Sequence, residues 1–162
     1  MVSFVGSDRS LIDMWRMATL NAYLGRGQGR RVLIEGPQWV AVSHLMKAWV
    51  DQTALPALFF TATDASPEIE LAAFVKAVRS STLPGRALFD DATPASWSAA
   101  LRQLAGALPD ERGSVIVINE VPYLIERVNE FRGILQRAWD EELSRKPVTL
   151  MLTGSDLSML DS

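Results

Sequence analysis

The sequence contains no cysteine and a single histidine, His44, among its 162 residues. The absence of cysteine excludes disulfide bonds, thiol nucleophiles and zinc sites built on thiolates. One histidine supports neither a metal cluster nor a Ser–His–Asp site, because both need further side chains brought close to it. We therefore expect His44 to be a surface or boundary residue, and the chemistry to lie elsewhere.

Long apolar runs and a strong excess of charge are also absent. The longest apolar stretches, such as residues 115–118, are far shorter than the roughly 20 residues that cross a bilayer. The first residues, MVSFVGSDRS, lack the basic start and apolar run of a signal peptide. A formal net charge of −3 gives no general attraction to nucleic acid or anionic lipid. The sequence predicts a single cytoplasmic domain over residues 1–162, with no membrane or nucleic-acid partner.

Short apolar runs alternate with segments of helical periodicity along the chain. Such alternation indicates a parallel sheet covered by helices on both faces. The predicted strands are 31–35, 57–62, 114–119 and 148–153; the predicted helices are 7–24, 43–51, one that begins at Pro67, 94–108 and 131–143; and residues 80–91 are predicted to be a loop. We therefore predict an α/β fold, a three-layer parallel sheet of about four to five strands flanked by helices. Ligands bind such sheets at the carboxyl ends of the strands, so the residues directly after strands matter most.

The turn after the first predicted strand has the length and position of a phosphate-binding loop. The pattern G-x-x-x-x-G-K-[ST], between a strand and a helix, cradles phosphate with backbone N–H groups. Gly36 and Ser43 stand at the required spacing, but Ala41 replaces the second glycine and Val42 replaces the lysine. The candidate nucleotide-binding residues are Gly36, Pro37, Gln38, Trp39, Val40, Ala41, Val42 and Ser43. The alternative is a plain strand–turn–helix connection.

The third predicted strand ends in Asn119 and Glu120. Four apolar residues followed by Asp-Glu form the strand that binds Mg²⁺ and positions the attacking water in many ATPases. Asn119 keeps the shape of the aspartate but lacks its negative charge, so Ser43 and Asn119 form only a weak candidate Mg²⁺ site. Glu120 is the candidate catalytic residue that positions water. The alternative is a buried strand that simply ends in polar residues.

The last predicted strand is followed by a third polar segment, Thr153-Gly-Ser155-Asp156. In ATPases of this plan a polar residue at the same place senses the γ-phosphate. Ser155 is the candidate for that role, with Thr153 as a second possibility. The alternative is a helix cap for the short segment 157–160.

Together these segments make the sequence resemble the archaeal-type P-loop ATPases of the AAA/STAND group. The resemblance extends over nearly the whole chain. The matching pieces are Phe4-Val-Gly6, residues 32–43, Leu58-Phe-Phe-Thr-Ala62, Leu83-Pro-Gly85, Asn119-Glu-Val-Pro-Tyr-Leu124, Leu135-Gln136, Trp139-Asp140 and Leu152-Thr-Gly-Ser-Asp-Leu157. The resemblance implies a P-loop NTPase-type fold with ATP and Mg²⁺ as cofactors.

The sequence departs from this family at the nucleotide site. The family's basic run and its Gly-Lys pair are replaced between residues 37 and 42, and its Walker B aspartate is Asn119. The resemblance therefore implies an ATP-binding core that is impaired in hydrolysis. It also implies that a further strand, a helical lid and a carboxy-terminal domain are missing. The edge of the first predicted strand would then be open to a protein partner or a second copy.

Two other functions remain open. A protein-interaction or scaffold module would keep the fold and bind no nucleotide, as the altered loop and Asn119 favour. An active ATPase would need a cation from elsewhere in the chain. Lys47, Arg30 and Arg31 are the candidates, and none of them is obviously placed for that role.

Overall fold

A computed structural model describes residues 2–4, 29–36 and 39–160 of the chain. Five parallel strands form one sheet in the order β1-β2-β5-β4-β3. The strands are β1 (Val2–Phe4), β2 (Arg30–Glu35), β3 (Ala57–Thr61), β4 (Ser114–Asn119) and β5 (Val148–Gly154). The four predicted strands are confirmed to within one residue at each end. The predicted helix over residues 7–24 lies outside the described residues.

Six helices and two short 3₁₀ turns are found in the described part of the chain. They are α1 (Trp39–Thr53), α2 (Pro67–Arg79), α3 (Leu88–Asp91), α4 (Trp97–Ala107), α5 (Val121–Arg127) and α6 (Phe131–Glu141), with 3₁₀ turns at Leu143–Arg145 and Ser158–Leu160. The predicted start at Pro94 is wrong because Ser96 caps α4, accepting a hydrogen bond from the Ala99 N–H at 3.1 Å. The segment predicted as a loop ends in α3. None of the described helices is long and apolar enough to cross a bilayer.

The helices divide between the two faces of the sheet because of the direction in which the chain crosses it. From β2 to β3 the chain crosses the sheet one way, and from β3 through β4 to β5 it returns. Right-handed connections therefore put α1 on one face and α2 to α6 on the other. Val32, Met46 and Val117 belong to the smaller core under α1, and Leu33 and Ile116 belong to the larger core. This arrangement confirms the predicted three layers.

An aromatic cluster anchors the larger core. The ring of Phe74 lies 5.4 Å from that of Phe60 and 5.1 Å from that of Trp97, and Trp97 meets Phe131 edge-on at 5.5 Å. Edge-to-face aromatic pairs contribute about 0.5–1.5 kcal/mol each beyond the apolar area they bury. The cluster joins β3 to α2, α4 and α6, and so holds in place the helices that follow β3 and β4.

The edge expected to be open at the first predicted strand is occupied by β1. Val2, Ser3 and Phe4 pair in parallel with Val32, Leu33 and Ile34 of β2. The chain itself thus satisfies this row of β2 backbone groups. A protein partner or a second copy at a sheet edge stays a prediction, and it would have to pair with β1 or β3 rather than with β2.

Candidate functional site

Four strands end side by side at one edge of the sheet. The register pairs Glu35 of β2 with Gly154 of β5, and Thr61 of β3 with Asn119 of β4. Because all the strands are parallel, the polar residues that follow them are brought to the same edge. This carboxyl edge is the candidate functional site.

Asn119 joins three elements at the carboxyl edge through its side chain. Its Oδ1 accepts hydrogen bonds from Ser43 Oγ of α1 at 3.0 Å and from Thr153 Oγ1 of β5 at 2.8 Å. Its Nδ2 donates to Thr61 Oγ1 of β3 at 3.1 Å. Asn119 is 7% exposed and Thr153 is fully buried, so the bond between them satisfies polar groups that water does not reach, whereas Thr61 is exposed. We call these four side chains the Asn119 cluster.

The Asn119 cluster brings together the two residues predicted to bind Mg²⁺, Ser43 and Asn119, but all of its side chains are neutral. Mg²⁺ is usually held by one or two carboxylates together with phosphate oxygens. Across the described ranges, no three His, Cys, Asp or Glu side chains converge as metal ligands. The residues present therefore do not fit a Mg²⁺ site by themselves.

The connection from β2 to α1 is shorter than a phosphate loop of the predicted kind. Gly36 has a φ of 99°, a conformation that favours glycine, and its N–H donates to the Gly154 carbonyl at 3.0 Å. Pro37 and Gln38 lie outside the described residues. Helix α1 begins at Trp39, four residues before the predicted start at Ser43. Residues 39–42, predicted to surround phosphate, thus form the first turn of the helix.

Glu120 lies in the turn between β4 and α5, in a left-handed backbone conformation with φ 59° and ψ 40°. A non-glycine residue in this region costs roughly 1–2 kcal/mol. Backbone strain of this kind is concentrated at functional positions in many proteins. The side chain is half-buried and makes no hydrogen bond that caps α5. The turn is held by close packing, since a Cβ added at Gly154 would lie 2.6 Å from Cδ of Pro122.

Thr153, rather than Ser155, reaches the Asn119 cluster from the end of β5. Thr153 donates to Asn119, whereas Ser155 is exposed. Asp156 precedes the 3₁₀ turn Ser158–Leu160 and accepts a hydrogen bond from the Ser158 N–H at 3.0 Å. Hydrogen bonds from the Ser158 side chain and then from its backbone N–H lower the pKa of Asp156. The assignment of Ser155 as the γ-phosphate sensor stays a prediction.

The loop after β3 borders the site and was not predicted to take part in it. The buried Glu70 carboxylate accepts hydrogen bonds from the Thr63 N–H at 3.0 Å and from Thr63 Oγ1 at 2.5 Å. Asp64 forms an ion pair with Arg127 of α5 at 2.7 Å. The hydrogen bond from Arg127 lowers the pKa of Asp64 and raises that of Arg127. These contacts fix the loop to α2 and α5, on the far side of Asn119 from α1.

Thr61 is the cluster member that the sequence interpretation missed. It is the last residue of β3 and lies directly opposite Asn119 in the register. The signal was present, because a polar residue at the end of a neighbouring strand reaches the same edge.

The cations considered as substitutes for the missing lysine lie elsewhere. His44 and Lys47 are exposed on α1, so the surface position predicted for His44 is confirmed. Arg30 and Arg31 stand at the amino end of β2, opposite the site. Arg31 donates to Oε1 of Gln136 at 2.8 Å and lies over the ring of Trp139 at 5.0 Å.

Neither protein-family models nor curated proteins match the sequence. Solved structures do match. A chain of the Drosophila ORC bound to DNA has a TM-score of 0.63 at 12% identity, over 91% of this chain and 37% of that chain. The ORC2 protein of Aeropyrum pernix, solved in ADPNP–ADP complexes, has a TM-score of 0.56 at 12% identity, over 99% of this chain and 44% of that one.

A Walker-type ATPase of Pyrococcus abyssi is also similar. Its TM-score is 0.50 at 18% identity, over 91% of this chain and 45% of that chain. The chain spans less than half the length of each of these proteins. At such low identity these similarities show the fold alone: the chain has the α/β fold of ORC and Walker-type P-loop ATPases.

Proposed function

We propose that this chain is a P-loop ATPase-type core with an altered site that binds ATP weakly and does not hydrolyse it. The observation that carries the proposal is the 3.0 Å hydrogen bond from Ser43 to Asn119. It joins the second turn of α1 to the end of β4. In the P-loop plan these two elements hold Mg²⁺ and phosphate. An amide stands there in place of the carboxylate that the plan requires.

Weak nucleotide binding is supported by the helix amino end that follows β2. The amino end of a helix attracts anions through its free N–H groups and its dipole, and α1 begins three residues after Gly36. Val42 supplies no ammonium group. A charge-assisted hydrogen bond is worth about 1.5–3 kcal/mol, so its loss lowers the affinity roughly tenfold to a hundredfold. ADPNP and ADP in the Aeropyrum pernix relative support a nucleotide as the ligand class.

The absence of hydrolysis follows from the charge of the Asn119 cluster. Phosphoryl transfer depends on metal ions and cations that neutralise the charge developing on the transferred group. The cluster provides neutral oxygen and nitrogen atoms only. Glu120 directly follows Asn119, as the residue that orients water follows the aspartate in the P-loop plan. Without a carboxylate at residue 119, the metal ion that Glu120 would act with has no charged ligand from β4.

The test combines calorimetric titration with Mg-ATP and a phosphate-release assay. The parent chain is compared with the triple variant Ala41→Gly, Val42→Lys, Asn119→Asp. We expect weak binding and no phosphate release above the blank for the parent, and binding at least about tenfold tighter for the variant. Phosphate release by the parent that Glu120→Gln abolishes would overturn the proposal.

A second candidate function is a protein-interaction module that binds no nucleotide. The observation that favours it is the start of α1 at Trp39. Residues that would surround phosphate in a phosphate-binding loop then belong to the first turn of the helix. The same titration separates the two functions. Heat of binding from the variant but none from the parent would favour the interaction module.

A further inference from the structure

A groove runs along the outer face of α6 and shares no lining residue with the Asn119 cluster. It consists of two adjoining cavities of about 240 Å³ and 610 Å³, which share Arg132, Gly133 and Gln136 as lining residues. The smaller cavity extends to Arg31 on β2, at the amino end of that strand. We call this feature the α6 groove.

The deep end of the α6 groove has an apolar floor. Leu33 of β2, Leu135 of α6 and Leu152 of β5 line it, and they are 1%, 3% and 2% exposed. These side chains belong to the larger core, so the floor is rigid and is shaped by packing rather than by loops. Such a floor suits the insertion of one apolar side chain.

The rim of the α6 groove is positively charged, although the whole chain carries a formal net charge of −3. Three arginines, Arg31, Arg132 and Arg137, line it with the carboxylate of Glu130. The Asp140 carboxylate accepts a hydrogen bond from the lining residue Gln136 at 2.9 Å, so the arginines outnumber the carboxylates by three to two. Arg31 is fixed by its hydrogen bond to Gln136 at 2.8 Å and by its contact with the ring of Trp139. A guanidinium held in this way loses little entropy when it binds a carboxylate in bidentate fashion.

From this combination we propose that the α6 groove binds an acidic peptide segment of a partner protein, which inserts an apolar side chain between its carboxylates. Carboxylates complement the arginine rim, and the apolar anchor covers the leucine floor. The groove reaches Leu160, beyond the carboxyl end of β5, but none of its lining residues belongs to the Asn119 cluster. The proposal therefore does not depend on whether nucleotide binds at the carboxyl edge.

Gly133 provides the sharpest way to test the groove. It lines both cavities, and a Cβ added at this position would have no heavy atom within 4 Å apart from its chain neighbours and the backbone of α6 itself. Glycine inside a helix is unfavourable relative to alanine. A large side chain at residue 133 therefore fills the groove without disturbing the core, and Gly133→Ala serves as the matched control.

The experiment measures fluorescence anisotropy with a fluorescein-labelled ten-residue peptide of alternating glutamate and leucine. A peptide of alternating lysine and leucine is the charge control. We expect Gly133→Trp to weaken binding of the acidic peptide at least about tenfold, and Gly133→Ala to change it by less than about twofold. Arg137→Glu should weaken it about fivefold or more, with a smaller effect at high salt. Lys76→Glu, on the distant helix α2, should change it by less than about twofold.

Each other outcome overturns the proposal. Equal binding of the lysine peptide would show that charge does not select the ligand. Unchanged affinity in Gly133→Trp would mean that the peptide binds elsewhere. No binding of the acidic peptide would mean that the groove is not a site for acidic peptides. Self-association in sedimentation that Gly133→Trp abolishes and the peptide does not inhibit would assign the groove to a second copy of this chain.

Discussion

The ends of β4 and β2 lie at the same edge of the sheet but depart from the magnesium- and phosphate-binding sequence motifs in different ways. At the end of β4, Asn119 stands where the motif has aspartate, and it accepts hydrogen bonds from Ser43 and Thr153. At the end of β2 the backbone itself differs, because α1 begins at Trp39. A substitution that keeps the side-chain shape preserves local structure, whereas one that alters helix propensity moves an element boundary.

Helix propensity explains the early start of α1. Glycine is about 1 kcal/mol less favourable than alanine inside a helix. With Ala41 where the motif places glycine, residues 39–42 contain neither glycine nor proline. The helix therefore extends back to Trp39.

The largest expected effect is on the free energy of unfolding, and it tests whether the aromatic core below the two strand ends stabilises the fold. Phe74 is fully buried in the aromatic cluster, so Phe74→Ala should lower the free energy of unfolding by about 3–5 kcal/mol. Urea denaturation measures it. Leu88→Ala, at an exposed position, is the control and should cost less than about 1 kcal/mol. A small loss in Phe74→Ala would mean that the scaffold depends on the carboxyl edge instead.

A second prediction compares two variants of Asn119, one that removes its hydrogen-bonding groups and one that keeps them. Asn119→Leu leaves the buried hydroxyl of Thr153 without its partner, and should cost about 1–3 kcal/mol in urea denaturation. Asn119→Asp keeps both hydroxyl bonds. When both variants are measured at a pH where the buried carboxyl is protonated and can still donate to Thr61, Asn119→Asp should cost less than about 1 kcal/mol. If the two substitutions lower the free energy of unfolding equally, the shape of the residue 119 side chain does not account for the stability of this edge.

The strained turn after β4 has a matched counterpart before α6. Glu120 and Glu130 have φ values of 59° and 60°. Replacing either by glycine relieves the left-handed conformation, and should raise the free energy of unfolding by roughly 0.5–1 kcal/mol after the entropy of glycine is subtracted. Thermal denaturation compares the two variants. A loss of stability in Glu120→Gly alone would show that its side chain has a structural role at the site.

The smallest effect concerns the ion pair beside the site. The pKa of Asp64 is lowered in the folded chain, so its contribution to stability is present above the ordinary aspartate pKa. That contribution is lost as the pH falls through the lowered value. The stability difference between the parent and Asp64→Asn should therefore be present at neutral pH and shrink towards zero in strong acid. A difference that grows as the pH falls would contradict the assigned pairing with Arg127.

The sequence was sufficient for the sheet because the buried strands are continuous apolar runs. It did not indicate β1, which is three residues long and shows no periodicity. It also missed α5, which begins at Val121 directly after the turn at Glu120. Segments this short carry too few residues for a hydrophobic pattern, and tertiary contacts decide their structure.

The candidate site was predictable where strand order alone places the residues. Ser43 and Asn119 were expected to meet, and they do. Thr153 and Ser155 would face the same side of a continuous strand, so strand periodicity could not choose between them. The choice depended on the path of the chain after β5 ends at Gly154. The start of α1 depended on a balance of about 1 kcal/mol per residue in helix propensity, which the motif comparison ignored.

The most direct test of the account is the effect of Mg²⁺ on ATP affinity. Calorimetric titrations with and without Mg²⁺ are compared for the parent and for the triple variant Ala41→Gly, Val42→Lys, Asn119→Asp. Because the Asn119 cluster is neutral, we predict that Mg²⁺ changes the ATP affinity of the parent by less than about twofold and tightens that of the variant about tenfold or more. A parent chain whose ATP affinity rises about tenfold with Mg²⁺ would contradict the central claim, because its site would then hold the metal despite Asn119.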